Sequence, residues 1–154
     1  SNPQITPLMP VLASPLLSLH VCVIMIAYSL FAFTMLNALL ALPLSMKSGR
    51  ESYVVQLTNM SRLLLFPAIF LLTLGIFIGA IWANQSWGRY WGWDPKEVWA
   101  LVTMMVYALP MHSASFPQFQ RPRFYHAYML VAFLTILMTY FGVNYFLGGM
   151  HSYA

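Results

Sequence analysis

The chain has 154 residues, of which 60% are hydrophobic and only 6% carry a charge, whereas soluble domains of this size are about a quarter charged. The mean hydropathy of +0.71 excludes a disordered chain and an ordinary cytosolic enzyme, and the single cysteine, Cys22, excludes an internal disulfide. The long, continuous apolar runs predict an all-α, polytopic membrane helical bundle rather than a membrane β-barrel, whose strands alternate.

Four apolar runs approach the length of about 20 residues that a bilayer-spanning helix needs. They cover residues 15–42, 63–82, 95–112 and 124–147, joined by links 43–62, 83–94 and 113–123. We therefore interpret residues 1–154 as a single membrane domain with about four transmembrane helices and a tryptophan-rich outward loop.

Five of the seven basic residues lie in the first and third links, which predicts an orientation. They are Lys47, Arg50 and Arg62 in the first link and Arg121 and Arg123 in the third. Lys and Arg are enriched in cytoplasmic links, so we expect both of these links on the cytoplasmic side. The middle link and the outer ends of the first and last helices then lie on the outer face, together with His20 and His151.

The third apolar run has a helix start that can be read from the sequence. Asp94 suits the N-cap, Pro95 the first helical position and Glu97 the third position of a capping box. From Asp94 to His112 a helix extends about 27 Å. One ligand cannot contact both ends of it, so a site at His112 would be separate from any site on the outer face.

The five tryptophans lie in one segment, residues 82–99. They are Trp82, Trp87, Trp91, Trp93 and Trp99. An interfacial aromatic belt is the alternative interpretation, but a belt should appear at helix ends on both faces. Gly88 and Gly92 let the backbone approach a ligand closely. The segment therefore favours a platform for a large, flat, apolar ligand, with Arg89 and Lys96 as partners for its carboxylates.

Two histidines share the predicted outer face with this segment. A lone histidine at a helix end is usually a surface or capping residue, but imidazole is also a common metal ligand and an established axial ligand of haem iron. His20 and His151 could thus complete a six-coordinate haem. His112 is a candidate for a second site, whereas His126 is expected to be interfacial. Asp94 and Glu97 are explained by capping, and no catalytic residue is assigned.

The motif resembles that of a known family. The run W-G-R-Y-W-G-W-D-P-K-E at residues 87–97 is similar to the tryptophan-rich WWD motif of haem-handling membrane proteins. The continuation to His112 and the ending G-V-N-Y-F-L-G-G-M-H-S-Y-A at residues 142–154 resemble the CcsA (ResC-like) subunit of the system II cytochrome c synthase. Full members have more helices, so the resemblance implies that this chain is the C-terminal part of such a protein.

The resemblance implies a function and a set of site residues. The family presents haem b on the outer membrane face for thioether attachment to apocytochrome c, as part of a lyase-type holocytochrome c synthase. Residues in matching positions are expected to bind haem: His20 and His151 as axial ligands of the iron, His112 at a second, membrane-embedded haem, and Trp87, Trp91, Trp93, Asp94 and Arg89 around the ring.

The resemblance also implies partners and a location. Expected partners are a CcsB-like (ResB) subunit or fused domain, an apocytochrome c with a C-x-x-C-H motif, and membrane lipid, but no nucleic acid. The expected location is the bacterial cytoplasmic membrane or the thylakoid membrane, with the haem site facing outward.

Three alternative functions stay open at this point. A haem carrier or exporter, or another CcmC-like or CcmF-like haem-handling protein without ligation activity, would share the WWD signal. An electron-transfer cytochrome b would need ligands buried in the middle of its helices. A structural anchor without a cofactor would be unaffected by His20→Ala.

Overall fold

The computed structural model describes residues 14–142, and residues 1–13 and 143–154 lie outside the described part. The described part contains four α-helices, which are α1 (Pro15–Leu44), α2 (Glu51–Trp87), α3 (Pro95–Ala108) and α4 (Pro122–Leu137). Shorter segments are the 3₁₀ turns Leu109–Met111 and Pro117–Gln120 and the π-helical turn Met138–Gly142. Since residues 14–142 include no strand, the predicted all-α class is confirmed.

Three helices of the described part are long and apolar enough to cross a membrane. They are Pro15–Leu44, Glu51–Trp87 and Pro122–Gly142. The third predicted helix, 95–112, is shorter than expected, because α3 has 14 residues and therefore extends only about 21 Å. The chain turns into a 3₁₀ segment at Leu109, since Pro110 has no backbone N–H to donate and its ring crowds the preceding turn.

The predicted start of the second helix at residue 63 is wrong, because α2 begins at Glu51 inside the expected link 43–62. Val54, Thr58 and Ser61 in this added part are buried, and their spacing places them on one helical face. The apolar run marks the part of the helix that can cross a bilayer. The helix itself continues through polar sequence, since its backbone hydrogen bonds are satisfied internally.

The fourth helix also begins earlier than predicted. α4 starts at Pro122 rather than at residue 124, because proline fits the first helical turn. A π-helical turn continues it to Gly142, and the remaining predicted residues, 143–147, lie outside the described part.

The bundle is built on α1 and α2, which form an antiparallel pair joined by the link 45–50, with α4 packed against them. Small residues on the facing sides of α1 and α2 are fully or almost fully buried. They are Ala27, Ala38, Ala41, Ala68, Gly75 and Gly79. Small residues let helix backbones approach closely, and in a membrane this packing replaces the hydrophobic effect as the main attraction between helices.

Polar side chains also connect the helices inside the bundle. The Asn37 amide donates to the Ser61 hydroxyl at 3.1 Å. The Thr58 hydroxyl donates to the Val54 carbonyl at 2.7 Å, so at its 2.8 Å contact with His126 Nε2 it must accept. His126 is 1% exposed, and the expectation that it is interfacial is wrong. The His126 ring can be buried because the Thr58 hydroxyl of α2 accepts from its Nε2–H group.

The two basic links lie at the same end of the bundle, as their alternation along the chain predicts. Arg123 donates to the carbonyl of Ser45 at 2.7 Å, and Arg62 donates to the carbonyl of Phe119 at 2.7 Å. We call this end, formed by the links 45–50 and 112–121, the basic end. The loop 88–94 and His20 lie together at the opposite end.

We predict that Thr58→Val lowers the free energy of unfolding by about 1–2 kcal/mol. The shape of the side chain is preserved, but the His126 Nε2–H group loses its acceptor inside the bundle. Equilibrium unfolding in detergent measures this. The matched control is Thr135→Val, whose hydroxyl donates to a carbonyl of its own helix. Equal losses in the two variants would show that the contact between α2 and α4 adds no stability.

Candidate functional site

The tryptophan-rich loop begins where α2 ends. Gly88 caps α2 in the left-handed conformation, with φ of 80°, and its N–H donates to the Asn84 carbonyl at 2.9 Å. A residue with a Cβ is strained in this conformation, whereas glycine is not. The chain therefore leaves the helix axis abruptly and turns back toward α3.

Glu97 fixes the far side of the loop. Its Oε2 accepts from the N–H of Asp94 at 3.2 Å and from the N–H of Gly92 at 2.7 Å. The Asp94 carboxylate in turn accepts from the N–H of Glu97 at 2.9 Å. The predicted capping box is thus confirmed, and one carboxylate also holds the loop residue Gly92. The carboxylates of Asp94 and Glu97 thus both form hydrogen bonds that hold the loop and the start of α3.

Four of the five tryptophans form two edge-to-face pairs rather than one flat platform. Trp82 is 1% exposed and packs against Trp87, with ring centroids 4.8 Å apart. Trp91 and Trp93 form the second pair at 5.6 Å. Trp93 is 68% exposed and has a φ of 56°, which costs a residue with a Cβ about 1–2 kcal/mol. The loop therefore holds the Trp93 backbone in an unfavourable left-handed conformation, and its indole lies on the surface.

His20 lies in the second turn of α1 and contacts α2. Its Nδ1 is 2.6 Å from the carbonyl oxygen of Gly75. A carbonyl can only accept, so Nδ1 carries the proton and the imidazole lone pair is on Nε2. A Cβ at Gly79 would lie 2.6 Å from His20 Cε1, so glycine at this position is what makes room for the ring.

His20 lines a cavity of about 120 Å³ between α1, α2, α3 and the loop. Trp91 and Lys96 line the same cavity. The indole Nε1 of Trp91 is buried and has no hydrogen-bond partner in the described part of the chain. Burial lowers the pKa of the Lys96 ammonium, while the Asp94 carboxylate opposes this shift. The cavity thus combines an imidazole, an indole N–H donor and a lysine with the Glu97 carboxylate, which already accepts from two backbone N–H groups.

Several predicted site residues lie elsewhere. Trp87 and Trp93 do not line this cavity, and the Arg89 guanidinium lies over Gly92 on the exposed loop. His112 is exposed near the basic end, where its Nδ1 donates to the Ala108 carbonyl at 2.9 Å. The structure therefore does not bring His112 together with His20. The second predicted axial ligand, His151, lies outside the described residues.

Among the cavity residues that sequence reasoning missed are Tyr28, Gly79 and Thr139. Tyr28 follows His20 by eight residues, which places both on one face of α1, so helical periodicity could have indicated it. Gly79 and Thr139 come from other helices, and their position depends on how these helices pack.

Comparison with known proteins places this arrangement in a family. Residues 1–151 match the family model described as "Cytochrome C assembly protein". The chain belongs to this family. The predicted resemblance to CcsA-like cytochrome c biogenesis proteins is thereby confirmed, and the long apolar helices make the chain an integral membrane protein.

Curated relatives support the same conclusion over nearly the whole chain. "Protein NrfI" of Wolinella succinogenes is 42% identical over 99% of this chain, and the match covers 18% of that protein. "Cytochrome c biogenesis protein CcsA" of Chlamydomonas reinhardtii is 36% identical over 97% of this chain and 44% of its own length. The corresponding protein of Guillardia theta is 35% identical over 96% of this chain and 56% of its length. This chain thus spans between about a fifth and just over half of these relatives.

We predict that Glu97→Ala weakens the near-ultraviolet circular dichroism of the tryptophans and lowers the free energy of unfolding by about 1 kcal/mol. The N–H groups of Gly92 and Asp94 lose their common acceptor, so the loop loses its fixed conformation. Glu51→Ala is the control, because Glu51 also lies in the first turn of a helix but is exposed and far along the chain from the tryptophans. A tryptophan signal unchanged by Glu97→Ala would contradict this role.

Proposed function

We propose that this chain binds haem b between His20 and the tryptophan-rich loop and presents it for covalent thioether attachment to apocytochrome c. The observation that carries the proposal is the position of His20, whose imidazole is oriented by the Gly75 carbonyl and lines a cavity. Metal-binding histidines characteristically donate their other ring N–H to a backbone carbonyl or carboxylate, which fixes the tautomer and the ring orientation.

The donor set favours haem over a bare metal ion. Among residues 14–142 no group of three or more His, Cys, Asp or Glu side chains could hold a metal ion, so iron at His20 would need the four nitrogens of a porphyrin. His20 Nε2 would supply one axial ligand, and His151 is proposed as the other. No side chain here is required to act as a general acid or base.

The protein's contribution is to hold and orient its substrate. Haem b supplies two vinyl groups, and the S–H bond of each apocytochrome cysteine adds across one of them, so that the reaction needs no oxidant or reductant. The exposed indole of Trp93 and the neighbouring Tyr90 lie on the side of the loop from which an acceptor protein could approach. This position supports a haem that is presented at the protein surface rather than one that is enclosed by the protein.

The polar groups of the cavity suggest which edge of haem enters it. A volume of about 120 Å³ is smaller than a porphyrin, so the cavity can admit only part of the ring. The Trp91 Nε1–H group needs an acceptor, and Lys96 supplies a cation. A propionate satisfies both groups, and the vinyl groups on the other side of the ring would then face outward.

The wider assembly is also part of the proposal. By the positive-inside rule, the basic end faces the cytoplasm and His20 faces the outside of the bacterial cytoplasmic membrane or the thylakoid lumen. A CcsB-like subunit or fused domain would complete the synthase. His112, at the basic end, would belong to a second haem site whose other ligand comes from such a partner or from another part of the protein.

Two alternatives differ in what they require of His20. A haem carrier without ligation activity could use the same cavity, and only an attachment assay with an apocytochrome separates it from a synthase. An electron-transfer cytochrome b is disfavoured, because His20 lies in the second turn of α1 rather than in the middle of the helix.

We predict that the protein with haem shows a six-coordinate, low-spin absorption spectrum that is lost in the double variant His20→Ala/His151→Ala. Spectra of oxidised and reduced samples in detergent measure this. Gly79→Ala should weaken the same spectrum, because the added Cβ displaces the imidazole. The control His112→Ala should preserve the outer-site signal. Because the proposed second site at His112 could also give a low-spin signal, the double variant is compared in the His112→Ala background, and a spectrum that survives there would rule out the outer site.

We predict further that Lys96→Gln weakens haem binding about tenfold, the effect of losing one charge-assisted hydrogen bond, but leaves binding of haem dimethyl ester unchanged. The ester has no propionate charge for Lys96 to contact. Absorbance titration of both ligands measures this, and Arg89→Gln is the control because Arg89 does not line the cavity. An equal loss for haem and its ester would show that Lys96 does not recognise a carboxylate.

A further inference from the structure

A second concave site lies at the basic end, far from the tryptophan-rich loop. It is a groove of about 670 Å³ between the end of α1, the link 45–50 and the first turns of α2 and α4. Its polar lining consists of Ser45, Lys47, Glu51, Arg121 and Arg123. The proposed function above makes no use of this groove.

The groove carries an excess of positive charge. Lys47, Arg121 and Arg123 contribute three cations, and Glu51 contributes one carboxylate. Within residues 14–142 none of the three cations forms an ion pair with a carboxylate, and the Arg123 guanidinium instead donates to the carbonyl of Ser45. Three like charges repel one another at short range, so an anion in the groove would relieve an unfavourable interaction.

Two helix N-termini open onto the same groove and attract an anion as well. The N-cap residues of α2 and α4 are Arg50 and Arg121, and neither forms a capping hydrogen bond through its side chain. By contrast, Ser14 caps α1 and Asp94 caps α3 through side-chain oxygens. The first N–H groups of α2, and those of α4 from Arg123 onward because Pro122 has none, therefore have no side-chain acceptor, and the positive ends of both helix dipoles lie at the groove.

The remaining walls of the groove are apolar. They are formed by Leu44, Val54, Val55, Pro122 and Phe124. The ligand must therefore have an anionic part and a hydrocarbon part. The groove also lies where α1 ends and where α2 and α4 begin, at the polar end of three helices that are long and apolar enough to cross a membrane. Lipid headgroups lie near such ends.

We propose that the groove binds an acidic phospholipid, with the phosphate among the three cations and an acyl chain along the exposed side chains of Val55 and Phe124. The lipid would connect the link 45–50 to the start of α4, where Arg123 and Ser45 already meet. It would thereby hold together the two elements that close the bundle at this end. The site is independent of haem.

The full-length protein in nanodiscs of phosphatidylcholine, with and without phosphatidylglycerol, provides the test. Native mass spectrometry measures retained phosphatidylglycerol, and thermal unfolding measures the stabilisation it gives. We expect retention by the wild type and a loss of affinity of about fivefold for each charge removed in Arg121→Gln and Arg123→Gln. The matched control is Arg50→Gln, which removes a charge from the same end but not from the groove.

The outcomes separate the proposal from its rivals. Retention that falls equally in Arg50→Gln would indicate diffuse attraction to an anionic surface and would overturn the proposal. Stabilisation by inorganic phosphate in phosphatidylcholine nanodiscs, equal to that by phosphatidylglycerol, would overturn it in favour of a soluble anion. Loss of retained phosphatidylglycerol in Arg121→Gln and Arg123→Gln but not in Arg50→Gln, with an unchanged haem spectrum, would support the proposal.

Discussion

The close approach of α1 and α2 is the constraint on which the rest of the structure depends. Gly75 and Gly79 are buried on the face of α2 that meets α1, and a Cβ at Gly75 would lie 2.5 Å from Ile24 Cδ1. A side chain at position 79 would point back along the helix and cover the Gly75 carbonyl. Because both positions lack a Cβ, this carbonyl can accept from His20 as well as from its own helix. The same packing thus forms the bundle and orients the imidazole.

In the tryptophan-rich loop, the Glu97 carboxylate likewise holds two parts of the chain together. Glu97 accepts from two backbone N–H groups and joins the start of α3 to Gly92. This fixes the chain on both sides of Trp93, whose left-handed backbone conformation would not persist without such support. Trp91 consequently lines the cavity while Trp93 faces outward, and the loop presents one indole to each side.

The two ends of the bundle differ in chemistry. The end with His20 has aromatic rings and a cavity that is lined by a lysine and by a tryptophan with a buried indole N–H. The basic end has a groove with three cations and two helix N-termini without side-chain caps. Inside the bundle, the Thr58 hydroxyl and His126 Nε2 are paired between helices, since hydrocarbon offers them no other partner, whereas His126 Nδ1 has no hydrogen-bond partner in the described part of the chain. The separation of the two ends follows from the length of the helices between them.

The sequence by itself determined the features that depend on residues close along the chain. Apolar run length indicated the membrane helices, the spacing of Asp94 and Glu97 indicated the cap, and the alternation of basic links indicated which ends lie together. The WWD motif indicated the family. Only the tertiary structure decided that His126 is buried, that α2 extends back to Glu51, and that Gly79 makes room for His20. Each of these depends on an acceptor, a face or a missing side chain on another helix, and hydrophobic periodicity along one helix contains no information about its neighbour.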